Sequence, residues 1–434
     1  MSVRARVDSA GEKPSQLERE YGVLVDASDS TVSPRVFSDP GLYKLEGERV
    51  FGRCWLYVGH ETQVAAPNSF ITAYMGEEGV IVTRGRSGKV RVFLNSCRHR
   101  GMRLCRLDYG VALKFQCPYH GWTFSNEGKL VAIPEFESGY HKNIEADKWG
   151  LIEVPRVESY RGLIFACYDE GAVSLADYLG EAKWYLDLCF NRTAAGMKPL
   201  PGVAKTKWPG NWKFGAEQLG GDNSHAIWAH SFLVKLGMVQ EFGGGDAWTR
   251  DFQVKCTNGH GFILLNEDPT HIPPALQKFR EQIKREAATR LDPTQQDLVD
   301  VVHVGTVFPN FSFIEFMGSM FIRTWHPRGT DNTEMWTWLM TEGDAPPEVT
   351  ALQRDLTTRN FGPAGIVESD DSEMWSGCSE TSGGFLRKQI PLNYSMSHSY
   401  GKTDPHRPGL IHRTPTEIAA FGFHEFWYSL MQRE

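Results

Sequence analysis

Cys97-Arg98-His99-Arg100-Gly101-Met102 is followed, with seventeen residues intervening after its histidine, by Cys117-Pro118-Tyr119-His120-Gly121-Trp122. Each half offers one thiol and one imidazole. A mononuclear zinc site more often pairs like with like, two cysteines and then two histidines. Two loops that each carry Cys and His suit a two-iron centre better: two thiolates on one iron of a [2Fe–2S] cluster, two imidazoles on the other, with neutral histidine raising the reduction potential. Gly101 and Gly121 stand where backbone would approach bridging sulfides. Four soft ligands in two short loops are too specific for chance, and zinc is the alternative.

Around these loops, from about Phe51 to Asp169, short apolar runs such as Val80-Ile81-Val82-Thr83 and Val90-Arg91-Val92-Phe93-Leu94 are separated by Gly, Ser and Asn turns. They predict a compact antiparallel β domain. The whole chain has 434 residues, enough for two or three domains. Its 41% hydrophobic and 23% charged residues are those of a globular protein, and exclude a disordered, collagenous or small disulfide-framed chain. A net charge of −7 argues against nucleic acid as a partner. No apolar run is long enough to span a membrane. The start, Met1 to Ala10, has no apolar core behind its charges, so a cytoplasmic location is expected. Eight cysteines without an export signal read as reduced thiols or metal ligands. Cys167 reads as a buried strand residue and Cys105 as a packing residue.

Residues 1–33 read as a loose or docked tail, and Gly243-Gly244-Gly245 as a flexible break. Trp212 to Leu236 is expected to be helical, interrupted at Gly220-Gly221. Leu276, Phe279, Ile283 and Ala287 share one face of an amphipathic helix, either a lid or an ordinary surface helix. Strands follow at 311–316, 319–325 and 334–340, and helices near 347–360 and 369–379 close the chain.

A second constellation lies in the helical stretch: Gln218, Asp222, His225 and His230. Asp222 and His225, three apart, share a helix face. His225 and His230 are five apart, roughly 140° around an ideal helix, so both reach one ion only if the helix is distorted or ends between them. Alone, these residues suit a satisfied polar core. With the later pair Asp370-Asp371 they suggest two histidines and one carboxylate with open positions, the facial triad of non-haem Fe(II) oxygenases.

Together these stretches, with Asn211-Trp212-Lys213, Val307-Phe308-Pro309-Asn310-Phe311-Ser312 and Arg323 to Gly329, resemble the large (α) subunit of Rieske non-haem iron ring-hydroxylating dioxygenases. The likeness is to the naphthalene, biphenyl and polycyclic-hydrocarbon group, from about Phe37 onward. Met102 and Tyr119 stand where respiratory Rieske proteins carry a disulfide, which places the chain in the oxygenase branch. The resemblance implies an α+β fold: an all-β Rieske domain (51–170) inserted into a helix-grip-like catalytic domain whose antiparallel sheet is wrapped by helices (1–50 and 171–434).

It also implies that Cys97, His99, Cys117 and His120 bind the cluster, and that His225, His230 and Asp371 bind the mononuclear Fe(II). Asp370 is then expected to face solvent or cap its helix. Asp222 would be the bridging acid between His225 and His120 of the partner subunit in an α3 or α3β3 assembly. Gln218, Leu219, Asn223, Ala226, Ile227, Asn310, Phe361, Ile366 and Val367 are the expected pocket residues. Ser224 departs from the family's usual Tyr before the first histidine. The implied reaction adds both atoms of O2 to an arene, giving a cis-dihydrodiol, with electrons from NADH through a reductase or ferredoxin. A monooxygenase or demethylase on the same centres, a Rieske electron carrier and a zinc-stabilised binding module are the rivals. An aryl carboxylate substrate would want a cation in the pocket, for which Arg359 and Lys388 are available by type.

Overall fold

The largest sheet of the computed structural model is antiparallel throughout and is built entirely from the second half of the chain, apart from its edge strand Met197–Pro199 and the strand Ala204–Trp208. From that edge its order runs Thr333–Glu342, Ser319–Pro327, Phe311–Phe316, Val302–Val307, Gly261–Leu265, Phe252–Lys255, Leu410–Arg413 and Lys402–Thr403. The structure describes residues 15–237, 251–267 and 272–433. The expected break at Gly243–Gly245 lies outside them.

Ser319–Pro327 is buried along its whole length, because helices pack on the sheet and a strand covered on both faces needs no polar alternation. Trp212–Gly221 crosses the central strands, and Pro347–Phe361 packs beside them. The Asn211-Trp212-Lys213 motif is explained by its anchorage. The Asn211 side chain accepts from Lys213 N–H at 3.2 Å, and its amide donates to the Phe37 and Thr330 carbonyls. Trp212 and Trp427 donate their indole N–H groups to buried Glu46, which also pairs with Lys213. A buried carboxylate with three donors meets the rule that charge in the interior must be matched.

The expected interruption at Gly220-Gly221 is displaced. Both glycines lie inside the helix, where a Cβ on Gly221 would come within 2.2 Å of the Ala420 backbone nitrogen. They let a last helix, Ile418–Met431, press against this one. That helix was not anticipated, because it is apolar nearly all round and buried, and so carries no amphipathic period. The amphipathic helix forms over Pro274–Ala287 and buries Leu276, Phe279, Ile283 and Ala287 against the core.

Ten short strands between Leu56 and Cys167 form three further antiparallel sheets. They enclose a separate small core including Phe70, Ile81, Phe93, Trp122 and Phe124, in which Cys97 and Cys117 are buried. The tail is docked from residue 15 on: Thr31–Val32 pairs with Leu392–Asn393. The β unit therefore sits between two chain segments that pair with each other. Among the described residues, no helix is long and apolar enough to cross a membrane.

Candidate metal centres and pocket

The two Cys/His loops are built alike. The Cys97 N–H donates to the Met102 carbonyl and the Gly101 N–H to the Cys97 carbonyl; Cys117, Trp122 and Gly121 repeat both bonds. Both turns need a left-handed residue, supplied by Gly101 at φ +71° and Gly121 at φ +73°. The loops bring the His99 and His120 rings to 4.6 Å between centroids, with His99 stacked on Trp122. Burial and the adjoining Cys117 thiol push the Cys97 thiol up. His99 Nδ1 is buried with no hydrogen-bond partner among the described residues. Two adjacent thiols and two facing imidazoles, one with an orphaned nitrogen, fit a cluster that takes two sulfur and two nitrogen ligands.

The second centre forms where the site helix ends. Asp222 leaves helical geometry (φ −126°, ψ 100°), and its Oδ1 accepts the Ser224 and His225 N–H groups at 3.0 and 3.2 Å. Two single-turn helices follow, with His230 at the joint. This break removes the angular mismatch between His225 and His230. Their Nε2 atoms lie 3.5 and 3.2 Å from Oδ1 of Asp371, which arrives on the helix Glu368–Ser382. One ligand atom from each of the three lies within 4.8 Å of the others, room for a single ion. Burial alone would raise the Asp371 carboxyl. The His230 hydrogen bond, the two rings and Gln218 outweigh burial and hold it below its ordinary value. Burial opposes charge on His225 as well, but Asp222 and Asp371 prevail and raise it to about 9. Bringing in a dication would therefore displace a proton there.

A second cluster with metal-binding residue types, Cys189, His303 and Glu315, does not compete. Arg192 already pairs with Glu315 at 2.6 Å, and His303 Nε2 faces the Leu298 carbonyl at 2.8 Å.

A cavity of about 650 Å³, its open mouth included, adjoins the three side chains. Its floor is the sheet: Ile263, Val304 and Ile314 stand in one cross-strand row, with Leu265, Val302 and Phe316 beside them. The remaining wall includes Leu219, Asn223, Ala226, Leu233, Phe361 and Val367. Among the described residues that line it, none is Lys or Arg.

Two family models match the chain: "Rieske [2Fe-2S] domain" over residues 54–160 and "Ring hydroxylating alpha subunit (catalytic domain)" over residues 175–433. The chain belongs to the ring-hydroxylating alpha subunits. It is 38% identical to the biphenyl 2,3-dioxygenase subunit alpha of Rhodococcus jostii, over 97% of this chain and 93% of that one. It is also 38% identical to a benzene 1,2-dioxygenase subunit alpha of Pseudomonas putida, over 95% and 93%. The naphthalene 1,2-dioxygenase of Rhodococcus sp. bound to indole superposes with a TM-score of 0.85 at 33% identity, over 94% of this chain and 96% of that one. As a member of this family it is an aromatic ring-hydroxylating dioxygenase subunit with a Rieske cluster and a mononuclear iron.

Within this alpha subunit three expected pocket residues lie elsewhere. Asn310 is fully buried at the other end of its strand, where its amide grips the backbone of Tyr57: it accepts from the N–H at 3.0 Å and donates to the carbonyl at 3.3 Å. Ile227 follows the lining residue Ala226 in the helix Ala226–Ala229, where a neighbour points about 100° away, and Ile366 precedes the lining residue Val367 in the turn ahead of the helix Glu368–Ser382. The sheet residues of the floor were missed. Their i, i+2 spacing marks one face of each strand, but spacing cannot say which face meets the iron.

Asp370 also departs from expectation. It neither caps its helix nor turns fully to solvent, but lies with Oδ2 at 3.4 Å from His230 Nδ1. Asp222 Oδ2 faces His225 Nδ1 from 3.6 Å, just beyond hydrogen-bond distance, so that this nitrogen has no hydrogen-bond partner among the described residues. Each histidine thus has a carboxylate behind it, an arrangement that fixes the ring and its tautomer. Asp370→Ala is expected to weaken iron retention about 10-fold, read as iron remaining after dialysis against a chelator, with cluster content unchanged. Ser224, in the usual place of Tyr, contacts Met396 through its hydroxyl.

Proposed function

We propose that this alpha subunit adds both atoms of O2 to one face of an aromatic hydrocarbon, giving a cis-dihydrodiol. Cys97, His99, Cys117 and His120 hold the cluster, and His225, His230 and Asp371 hold the iron. The observation that carries this reading is a cavity walled by aliphatic and aromatic side chains, with no cation among the described lining residues, opening on two histidines and a carboxylate.

When bound, the cluster supplies electrons singly and the iron activates O2. The protein's own part is orientation and exclusion. The sheet row Ile263, Val304 and Ile314 and the ring of Phe361 hold a flat apolar substrate edge-on to the metal face. The same residues keep water from the reacting carbon. Asp370 accepts from Nδ1 of His230, and the Asp222 carboxylate faces Nδ1 of His225, so that both rings turn Nε2 inward. Asp222 keeps about a third of its side chain exposed, 37%, and so has oxygen free for an imidazole of the partner subunit. That supports an α3 or α3β3 assembly in which Asp222 would link the cluster site of one subunit to the iron site of the next, the path that electrons would take. Their source is NADH, through a reductase with or without a ferredoxin. The eight unpaired cysteines support a reducing, cytoplasmic setting.

An aryl carboxylate is disfavoured by position. Arg359 is exposed on the helix Pro347–Phe361, and Lys388 lines a separate surface hollow. The test joins metal analysis to product analysis. The purified protein is expected to hold about three irons and two sulfides, with a reduced [2Fe–2S] signal in its electron paramagnetic resonance spectrum. With reductant and O2 it is expected to convert naphthalene or biphenyl to a cis-dihydrodiol carrying two atoms of labelled oxygen. One labelled atom per product would instead make it a monooxygenase, and two irons after anaerobic Fe(II) addition an electron carrier.

A further inference from the structure

Gln218 reaches into the iron site from the helix Trp212–Gly221, and its type leaves open whether it ligates the metal through oxygen. Trp375 decides the matter. It lies one turn after Asp371 on the helix Glu368–Ser382, and its indole N–H donates to Gln218 Oε1 at 2.7 Å. Both side chains are buried, and the indole is wedged between Trp208 and Trp325, at 5.3 and 5.4 Å between ring centroids. An indole nitrogen only donates, so it accepts no other orientation of the amide than oxygen towards itself. The amide nitrogen must then face the metal side. There it donates to Asp371 Oδ1 at 2.9 Å and lies 3.4 Å from His225 Nε2. An amide NH2 offers no lone pair to a metal.

We propose that Trp375 and Gln218 form a positioning pair: Trp375 locks the Gln218 amide so that it steadies Asp371 as a donor and is kept from becoming a further iron ligand. The pair also ties together the two helices that bring the metal-binding side chains. The proposal rests on the reading of His225, His230 and Asp371 as iron ligands.

The test uses the holoenzyme, with two readouts of the mononuclear iron other than turnover. One is the release rate to a chelator, and the other is the resonance spectrum after nitric oxide is added to the Fe(II) form. Gln218→Leu, which keeps the bulk and removes the donor, is expected to release iron about 10- to 100-fold faster. Trp375→Phe keeps the ring packing and frees the amide to turn its oxygen inward. It is expected to change the nitric oxide spectrum, a change absent from Gln218→Leu/Trp375→Phe relative to Gln218→Leu alone. An unchanged Trp375→Phe spectrum, or wild-type release from Gln218→Leu, overturns the pair. An unaltered cluster signal in each variant shows that the fold is intact. Asp371→Ala separates the two levels of inference: iron still bound in that variant means the ligand reading has failed, whatever the pair does.

Discussion

Asp222→Asn is expected to slow turnover by about 100-fold or more while the cluster and the mononuclear iron both stay loaded. Asparagine keeps an oxygen where Oδ1 accepts the Ser224 and His225 N–H groups, so the turn that ends the site helix survives. What is lost is the second carboxylate oxygen, 3.6 Å from His225 Nδ1, and the negative charge that draws a proton to that ring. Burial would raise the Asp222 carboxyl, yet His225 and the two backbone donors hold it below its ordinary value, so it is charged at neutral pH. A neutral amide there cannot accept from two imidazoles at once. The informative measurement is single turnover. The variant's reduced cluster should stay reduced on mixing with O2 and substrate, whereas the wild-type cluster is oxidised. Fast reoxidation in Asp222→Asn would remove Asp222 from the electron route and leave it only the orientation of His225.

The second large effect is on stability. Arg323 and Glu368 form a buried pair at 2.7 Å, with side chains 1% and 2% exposed. Arg323 belongs to a strand buried along its length, and Glu368 opens the helix that carries Asp371 three residues later. Removing one partner of such a pair leaves the other charge stranded, at a cost of about 3–5 kcal/mol. Arg323→Met is therefore expected to lower the free energy of unfolding by that amount in a denaturant titration. Arg323→Met with Glu368→Gln should recover most of it, because burial already pushes the Glu368 carboxyl up towards its neutral form. Loss without recovery would mean that Arg323 matters through its packing on Phe321 and Trp325 rather than through its charge.

The legibility of this chain differs from one element to the next. The cluster loops were readable because every element of their chemistry is local: two ligands two or three residues apart, then a glycine for the turn. The short apolar runs of the small β unit were readable because Gly, Ser and Asn turns separate them, and the amphipathic helix Pro274–Ala287 because one-sided burial leaves a period in the sequence. The helix Ile418–Met431 was not, because burial on all sides erases that period. Gly220 and Gly221 suggested a break, whereas their lack of side chains serves close helix packing, and the break falls at Asp222.

The sequence by itself determined the donor atoms: which thiols, imidazoles and carboxylates exist, and that their spacing suits two different iron centres. Ligand chemistry depends on residue type and short spacing, both of which are written along the chain. Only the tertiary structure decided which side chains stand behind those donors and which face the substrate. Asp370 comes to His230, Trp375 locks Gln218, and Asn310 leaves the pocket to grip Tyr57, because helices and strands distant in sequence set these distances. The row Ile263, Val304 and Ile314 meets the cavity for the same reason: cross-strand register, not spacing within any one strand, turns that face of the sheet towards the iron.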